Sequence, residues 1–317
     1  MSSLREESTL EQLYTPGDIK KIEDVLLACN GVVYVMDDIK IPSDFSCVAT
    51  PAFLRSTNKI MSWAIYCDQK ASNTGMNLHY YAFLKAMQSR FSFFMPSDAA
   101  LGYYYDPMSF SSTYPRMLKF KYIKTESENA FPISIKKEDN INYTYDINTG
   151  EIGAPNLASS FAKVDFTDRL RQILEGSTIV HTGSENKIND EENEYYVAKN
   201  GMGIRVEREG GRVVRAQGGF QLENQRAGLS ATAPGIIYCN VDLTENTKFK
   251  NGYTFTMDAP LIPAARSVFG VLSNMPKGAE GVPADYSEQT ADTNPFYEFF
   301  KLCNDYDEGL ILGSGLV

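Results

Sequence analysis

Two stretches decide how this chain is read: Asn30-Gly-Val-Val-Tyr-Val-Met-Asp-Asp-Ile-Lys-Ile-Pro42 and Asn251-Gly-Tyr-Thr-Phe-Thr-Met-Asp-Ala-Pro-Leu-Ile-Pro263. Asn, Gly, Met, Asp, Ile and Pro coincide, and an aromatic residue, Tyr34 or Phe255, sits at the same place in both. Each stretch opens on an Asn-Gly turn and enters a run of β-branched and aromatic residues, which predicts strands over Gly31 to Met36 and Tyr253 to Met257. Pro42 and Pro263 then stop the pairing, because proline has no N–H to give to a ladder. A second pair follows the first. Tyr81-Ala-Phe-Leu-Lys85 matches Tyr297-Glu-Phe-Phe-Lys301, so the offsets, 221 residues from Asn30 to Asn251 and 216 from Tyr81 to Tyr297, nearly agree. Self-similarity at one spacing marks a repeated unit.

Working outward, the unit is about 220 residues and the chain holds about one and a half of them. Residues 1–56 are expected to close a preceding unit, 57–265 to form a complete one, and 266–317 to open the next. Helical patterns follow each proline, over Ser62 to Tyr66 and Arg266 to Leu272, and Tyr81, Leu84 and Lys85 share helical spacing. Inside the complete unit, Phe91 to Met95 predicts a short strand ended by Pro96. Ser97 and Asp98 offer caps for a short helix behind it. Asp165 to Glu175 predicts a helix with Phe166, Leu170, Ile173 and Leu174 on one face. Tyr143 to Ile152 reads as a hairpin turning at Asn148 to Gly150. From Tyr195 onward the pattern is strands between Gly-rich turns, including Phe220 to Leu222. Helices segregated from an antiparallel sheet define an α+β fold.

The 317 residues are 43% hydrophobic and 22% charged, an ordinary globular composition. Formal net charge is -10, and no Lys/Arg-dense stretch offers the basic footprint of a nucleic-acid binder or of a protein held on anionic lipid. No apolar run reaches the ~18–20 residues of a membrane span. Met1 to Leu13 is too polar for a signal peptide, so a leader or lipid anchor is expected to lie outside this sequence.

Chemistry is sparse. The five cysteines, Cys29, Cys47, Cys67, Cys239 and Cys303, are far apart and form no C-x-x-C pair, so they read as small buried hydrophobes. His79 and His181 are the only histidines, and no zinc-protease, nucleophile-elbow or P-loop spacing surrounds them. Gly201-Met-Gly203 and Gly210-Gly211 precede strands rather than a helix N-terminus, so they are turns and not phosphate loops. Asp190-Glu-Glu-Asn-Glu194 lacks calcium-loop spacing and reads as a solvated loop. Asp37 and Asp258 recur at one repeat position, which points to structural hydrogen bonding. No catalytic residue, cofactor or metal is assigned.

Several of these segments resemble the fasciclin-like adhesion domain. Phe91-Ser-Phe-Phe-Met-Pro-Ser-Asp-Ala-Ala100 is similar to its first box, in which a strand meets a Pro-Ser-Asp turn at Pro96 and Asp98. The stretches starting at Asn30 and Asn251, with Asp37 and Asp258, are similar to its last box. Leu170 to Leu174 and Tyr195 to Gly201 with Ile204 to Val206 resemble parts of the middle, the latter in the manner of Bacteroidetes members. The family's Tyr-His pair is missing: Gly176-Ser177 stands there, and His181 is not given that role. The resemblance implies an antiparallel β-wedge with short flanking helices, repeated in tandem, and extracellular or cell-surface adhesion without catalysis. Partners would be neighbouring fasciclin-like domains and a protein or a surface glycan. An accessory lipoprotein of an outer-membrane nutrient importer is one setting for it. A carbohydrate-binding or carbohydrate-active protein and an architectural spacer are the competing readings.

Against that family the chain carries an excess at about 103–156. It is dense in aromatics, with Tyr103, Tyr104, Tyr105, Phe110 and Tyr114 leading. Aromatics suit protein hot spots and sugar stacking, so these five are the candidate binding surface. The competing expectation is that they pack the insertion onto its own domain.

Overall fold

The computed structural model describes residues 22–37, 43–70, 79–124, 131–134, 142–156, 163–183, 185–190, 192–229, 233–244, 247–272 and 294–299. Pro42, Lys301 and Cys303 lie outside them. The architecture is α+β.

A four-stranded sheet organises the body. Its order is β13 (Lys248–Phe249), β14 (Gly252–Met257), β3 (Arg90–Pro96) and β8 (Thr178–His181). The alternating sequence of β3 explains its place. Phe91, Phe93 and Met95 enter one core, whereas Phe94 faces the other way and stacks on Phe255 at 5.0 Å between centroids. The first core lies under helices α1 (Thr50–Leu54), α2 (Lys59–Lys70), α3 (Tyr80–Leu84) and α4 (Lys163–Gly176). The second is closed by a sheet ordered β12 (Cys239–Asn240), β11 (Arg212–Gln217), β10 (Gly203–Glu209) and β9 (Tyr195–Val197). Two sheets with helices outside one of them bury far more apolar surface than either sheet could alone.

A third four-stranded sheet comes from the insertion: β4 (Tyr104–Tyr105), β5 (Arg116–Leu118), β6 (Asn142–Tyr145) and β7 (Ile152–Asn156), in that order. The hairpin expected at Tyr143 to Ile152 is its β6–β7 corner, and Gly150 there adopts φ 74°, open to glycine at little cost. The last sheet is the two-stranded hairpin β1 (Ile22–Ala28) and β2 (Gly31–Met36).

Three expectations are corrected. The sheets are not wholly antiparallel, since β14 runs parallel to β3, from Gly252 beside Phe91 to Met257 beside Pro96. A period-two pattern carries no information about strand direction, and these two strands lie at opposite ends of the unit. Phe220 to Leu222 is not a strand but part of helix α5 (Gly219–Arg226). Gln221 decides this: its Oε1 accepts from the N–H of Gly218 at 3.0 Å and of Ile262 at 3.2 Å, and its Nε2 donates to the carbonyls of Gly235 and Pro260. That fully buried amide is satisfied only from a helical backbone placed there.

The third correction moves the edge of the body upstream of Thr57. Cys47, Val48, Ala49 and Ala52 are fully buried in the first core. The backbone of Lys250 donates to Ser46, Thr254 Oγ1 donates to Val48, and Lys85 pairs with Asp44 at 2.7 Å. Residues 43–56 therefore pack with β14 in the same body. At the other edge, Arg266 pairs with Glu223 at 3.4 Å, and Asn294 donates to the carbonyl of Leu272 at the end of α6 (Val268–Leu272).

Candidate functional site

The insertion is anchored before it is open. Asp106, fully buried, accepts from Arg169 of α4 at 3.0 Å and from Arg116 of β5 at 3.4 Å, while its Oδ1 accepts from the N–H of Met108. A buried carboxylate requires such neighbours, since an unpaired one costs several kcal/mol. Burial pulls the Arg169 guanidinium down, but its hydrogen bond to Asp106 and the surrounding negative charge leave it above its ordinary value.

The aromatics that make the insertion conspicuous in the sequence do not share one fate. Tyr105 is 0% exposed, Tyr104 1% and Phe110 4%, so these three are core residues and not a binding surface. Phe110 stacks on Phe220 at 5.2 Å, and Tyr105 meets Tyr145 at 5.2 Å and Phe220 at 5.5 Å. Tyr103 is half-buried against the same core. Tyr114 alone of the five stands out, at 67% exposure. The physical reason for Tyr105 and Phe110 is the helix α5 missed in the sequence, whose Phe220 is their apolar partner; Tyr104 packs on Phe120, 5.5 Å away.

Tyr114 borders a cleft of about 580 Å³ between the Phe110–Pro115 turn and the β6–β7 corner. Its buried lining is Phe110, Pro115, Tyr145 and Ile147, and its exposed lining includes Tyr114, Asp146, Asn148 and Glu151. The corner is held by Asp146, whose Oδ1 accepts from the N–H of Asn148 at 2.8 Å and of Thr149 at 3.2 Å. Tyr145 is 3% exposed and its hydroxyl has no hydrogen-bond partner among the described residues; burial pushes its ionisation far above the ordinary tyrosine value. Asp146 and Glu151 were not singled out in the sequence, and Asn148 was named only as a turn residue. The signal that could have found them is the hairpin itself, whose turn must project its polar residues outward.

The motif residues hold the fold. Pro96 ends β3, buried. Asp98 caps α2 from outside the helix, its carboxylate accepting from the N–H groups of Lys59 and Ile60 at 2.9 Å each. Burial nevertheless raises its ionisation above the usual value. In the short helix behind it, Ala100–Gly102, the N–H of Ala100 donates to Ser97 Oγ at 3.1 Å. Asn251 is fully buried; its Oδ1 accepts from Val48 at 2.9 Å and its Nδ2 donates to the carbonyl of Leu84 at 2.8 Å. Asp258 accepts from the backbone and side chain of Asn240 at 2.7 Å each. Asn30 and Asp37, their counterparts, are exposed.

His181 Nε2 lies 2.9 Å from Ser92 Oγ. Ser92 is fully buried and also accepts from Asn186, so the contact ties β3 to β8. His79 takes φ 48° at the start of α3. Cys47 and Cys239 are buried as expected, but Cys29 is exposed in a hairpin loop. Among the described residues no three His, Cys, Asp or Glu side chains group as metal ligands, and no helix is long and apolar enough to cross a membrane.

No protein-family model and no curated protein matches the chain. Among solved structures, a FAS1 domain pair from the insect cell adhesion molecule fasciclin I is similar to it at 17% identity and a TM-score of 0.33. The match covers 75% of this chain and 57% of that one, so the chain spans little more than half the length of the domain pair.

Proposed function

We propose that this chain is a stretch of tandem fasciclin-like units acting as a non-enzymatic binding or adhesion module at a cell surface, with the insertion's cleft as its contact face. The observation that carries the tandem reading is the duplicated hairpin. In β13–β14, Phe249 pairs with Gly252 around a two-residue loop, and β14 then lies against β3. In β1–β2, Ala28 pairs with Gly31 around a loop of the same length, with Val33 52% exposed and Leu27 84% exposed. The second hairpin has the form of a unit's closing element whose own β3-like strand belongs elsewhere. A preceding unit would supply it.

The cleft supports the binding half of the proposal. Clefts of ~300–1,000 Å³ are the size that small ligands and short segments occupy. Its polar rim and Tyr114 also favour a carbohydrate-binding reading as the second choice. An accessory lipoprotein of an outer-membrane nutrient importer belongs to the same proposal.

The test is the gene and its full product. The expected result is fasciclin-like sequence upstream, a lipoprotein signal before it, and importer genes beside it. In the extended protein, the Val32, Val33 and Val35 amides then exchange hydrogen far more slowly than in the present chain. An upstream region without such a unit, or one that leaves those amides unchanged, overturns the tandem reading.

A further inference from the structure

The cleft's lining names a class of ligand, on the reading that this cleft is the binding face. We propose that it takes a basic side chain, Lys or Arg, presented by a short segment of a partner protein.

Charge is the first reason. Asp146 and Glu151 both line the cleft, and among the described residues no Lys, Arg or His does. Asp146 is fixed by its two backbone donors through Oδ1, which leaves Oδ2 with no partner among the described residues. Glu151 is exposed beside it. An anionic ligand such as a phosphate, a sulfate or a uronic acid meets repulsion here, reinforced by the chain's net charge of -10. A neutral sugar leaves both carboxylates uncompensated. An ammonium or guanidinium neutralises them through charge-assisted hydrogen bonds.

Shape is the second reason. The floor is apolar, formed by Phe110, Pro115 and Ile147. Lys and Arg carry an apolar stem under a charged head, so the stem suits that floor while the head reaches the rim. Tyr114, 67% exposed, offers a ring face over which a cation is attracted by the π-electrons. At about 580 Å³ the cleft has room for the residues flanking one basic side chain. Tyr145, which also lines the cleft, has a buried hydroxyl with no hydrogen-bond partner among the described residues.

The experiment titrates the full chain with tri-arginine amide, its tri-citrulline counterpart and cellobiose, following the NMR signals of Tyr114 and Ile152. Tri-arginine is expected to shift those signals and tri-citrulline to bind at least about tenfold more weakly, the size expected for a charge-assisted contact. The double variant Asp146→Asn, Glu151→Gln is expected to weaken tri-arginine by about tenfold or more without lowering the melting temperature, because Asn keeps the acceptor of the turn. Shifts spread over the whole surface, and unchanged in the double variant, overturn the proposal. Shifts at Tyr114 with cellobiose and not with tri-arginine overturn the basic ligand but keep the cleft as the binding face. No response to any of the three overturns both.

Discussion

The hairpins β1–β2 and β13–β14 share a two-residue loop ending in Asn and second strands that match at Gly, an aromatic and Met, yet they have opposite environments. Thr254 and Thr256 are 2% and 7% exposed, whereas the matching Val33 and Val35 are 52% and 37% exposed. Asn251 makes buried hydrogen bonds to Val48 and Leu84; Asn30, at the same loop position, is exposed. A Cβ on Gly252 would sit 1.9 Å from the carbonyl oxygen of Phe91, and one on Gly31 would meet nothing within 4 Å. Local sequence therefore specifies the hairpin, while burial comes from the strand β3 that one copy has beside it. The apolar residues of β2 are not locally explained; they make sense as one side of an interface.

The sharpest way to break this comparison is the paired glycine substitution. Gly252→Ala should cost more than ~4 kcal/mol or prevent folding, because it forces β14 off β3 from a φ of 145° that alanine rarely adopts. Gly31→Ala should cost under ~1 kcal/mol. Equal effects in denaturant melts would show that the two positions are not distinguished by their neighbours.

Next in size are the insertion aromatics. Tyr104→Ala and Phe110→Ala should each lose ~3–5 kcal/mol, as buried aromatics do. Tyr114→Ala should change stability by less than ~0.5 kcal/mol, as an exposed site does. A stable Phe110→Ala variant would return that ring to the surface.

Much of this was legible in advance. The strands at Gly31, Phe91 and Gly252, the helix after Asp165 and the β6–β7 turn follow from period and turn chemistry. What was not legible depended on partners distant in sequence. Phe220 reads as a strand until Gln221 is seen bonding to Gly218, Gly235, Pro260 and Ile262. Tyr104, Tyr105 and Phe110 look like a patch until Phe120 is seen against Tyr104, and Phe220 against Tyr105 and Phe110. Residues 43–56 look like an upstream tail until Val48 meets Asn251. The cleft was half visible: Tyr114 was named, but its acidic neighbours Asp146 and Glu151 lie across the insertion on another strand pair.

The asparagines give a smaller contrast. Asn251→Ala should cost ~2–4 kcal/mol, since it strands the buried N–H of Val48 and the carbonyl of Leu84. Asn30→Ala should cost a few tenths of a kcal/mol. A comparable loss at Asn30 would mean that it too has a buried partner.

Alkaline pH tests the buried tyrosines that lie outside both hairpins. Burial raises the ionisation of Tyr80, Tyr104, Tyr105 and Tyr145 well above the ordinary value of 10.0. The folded state thus keeps protons that the unfolded chain gives up. Stability from these residues is full below about pH 10 and falls as pH rises past it, by at most ~1.4 kcal/mol per pH unit for each. Equilibrium unfolding at pH 9, 10 and 11 measures the slope. A flat profile would place these hydroxyls in solvent.

Native-state hydrogen exchange, read amide by amide on the two second strands of the intact chain, tests the central claim most directly. The amides of Gly252–Met257 should exchange only through global unfolding, and those of Gly31–Met36 should exchange orders of magnitude faster through local opening. Equal, global protection of both strands would contradict it, because the β1–β2 hairpin would then already be covered within this chain.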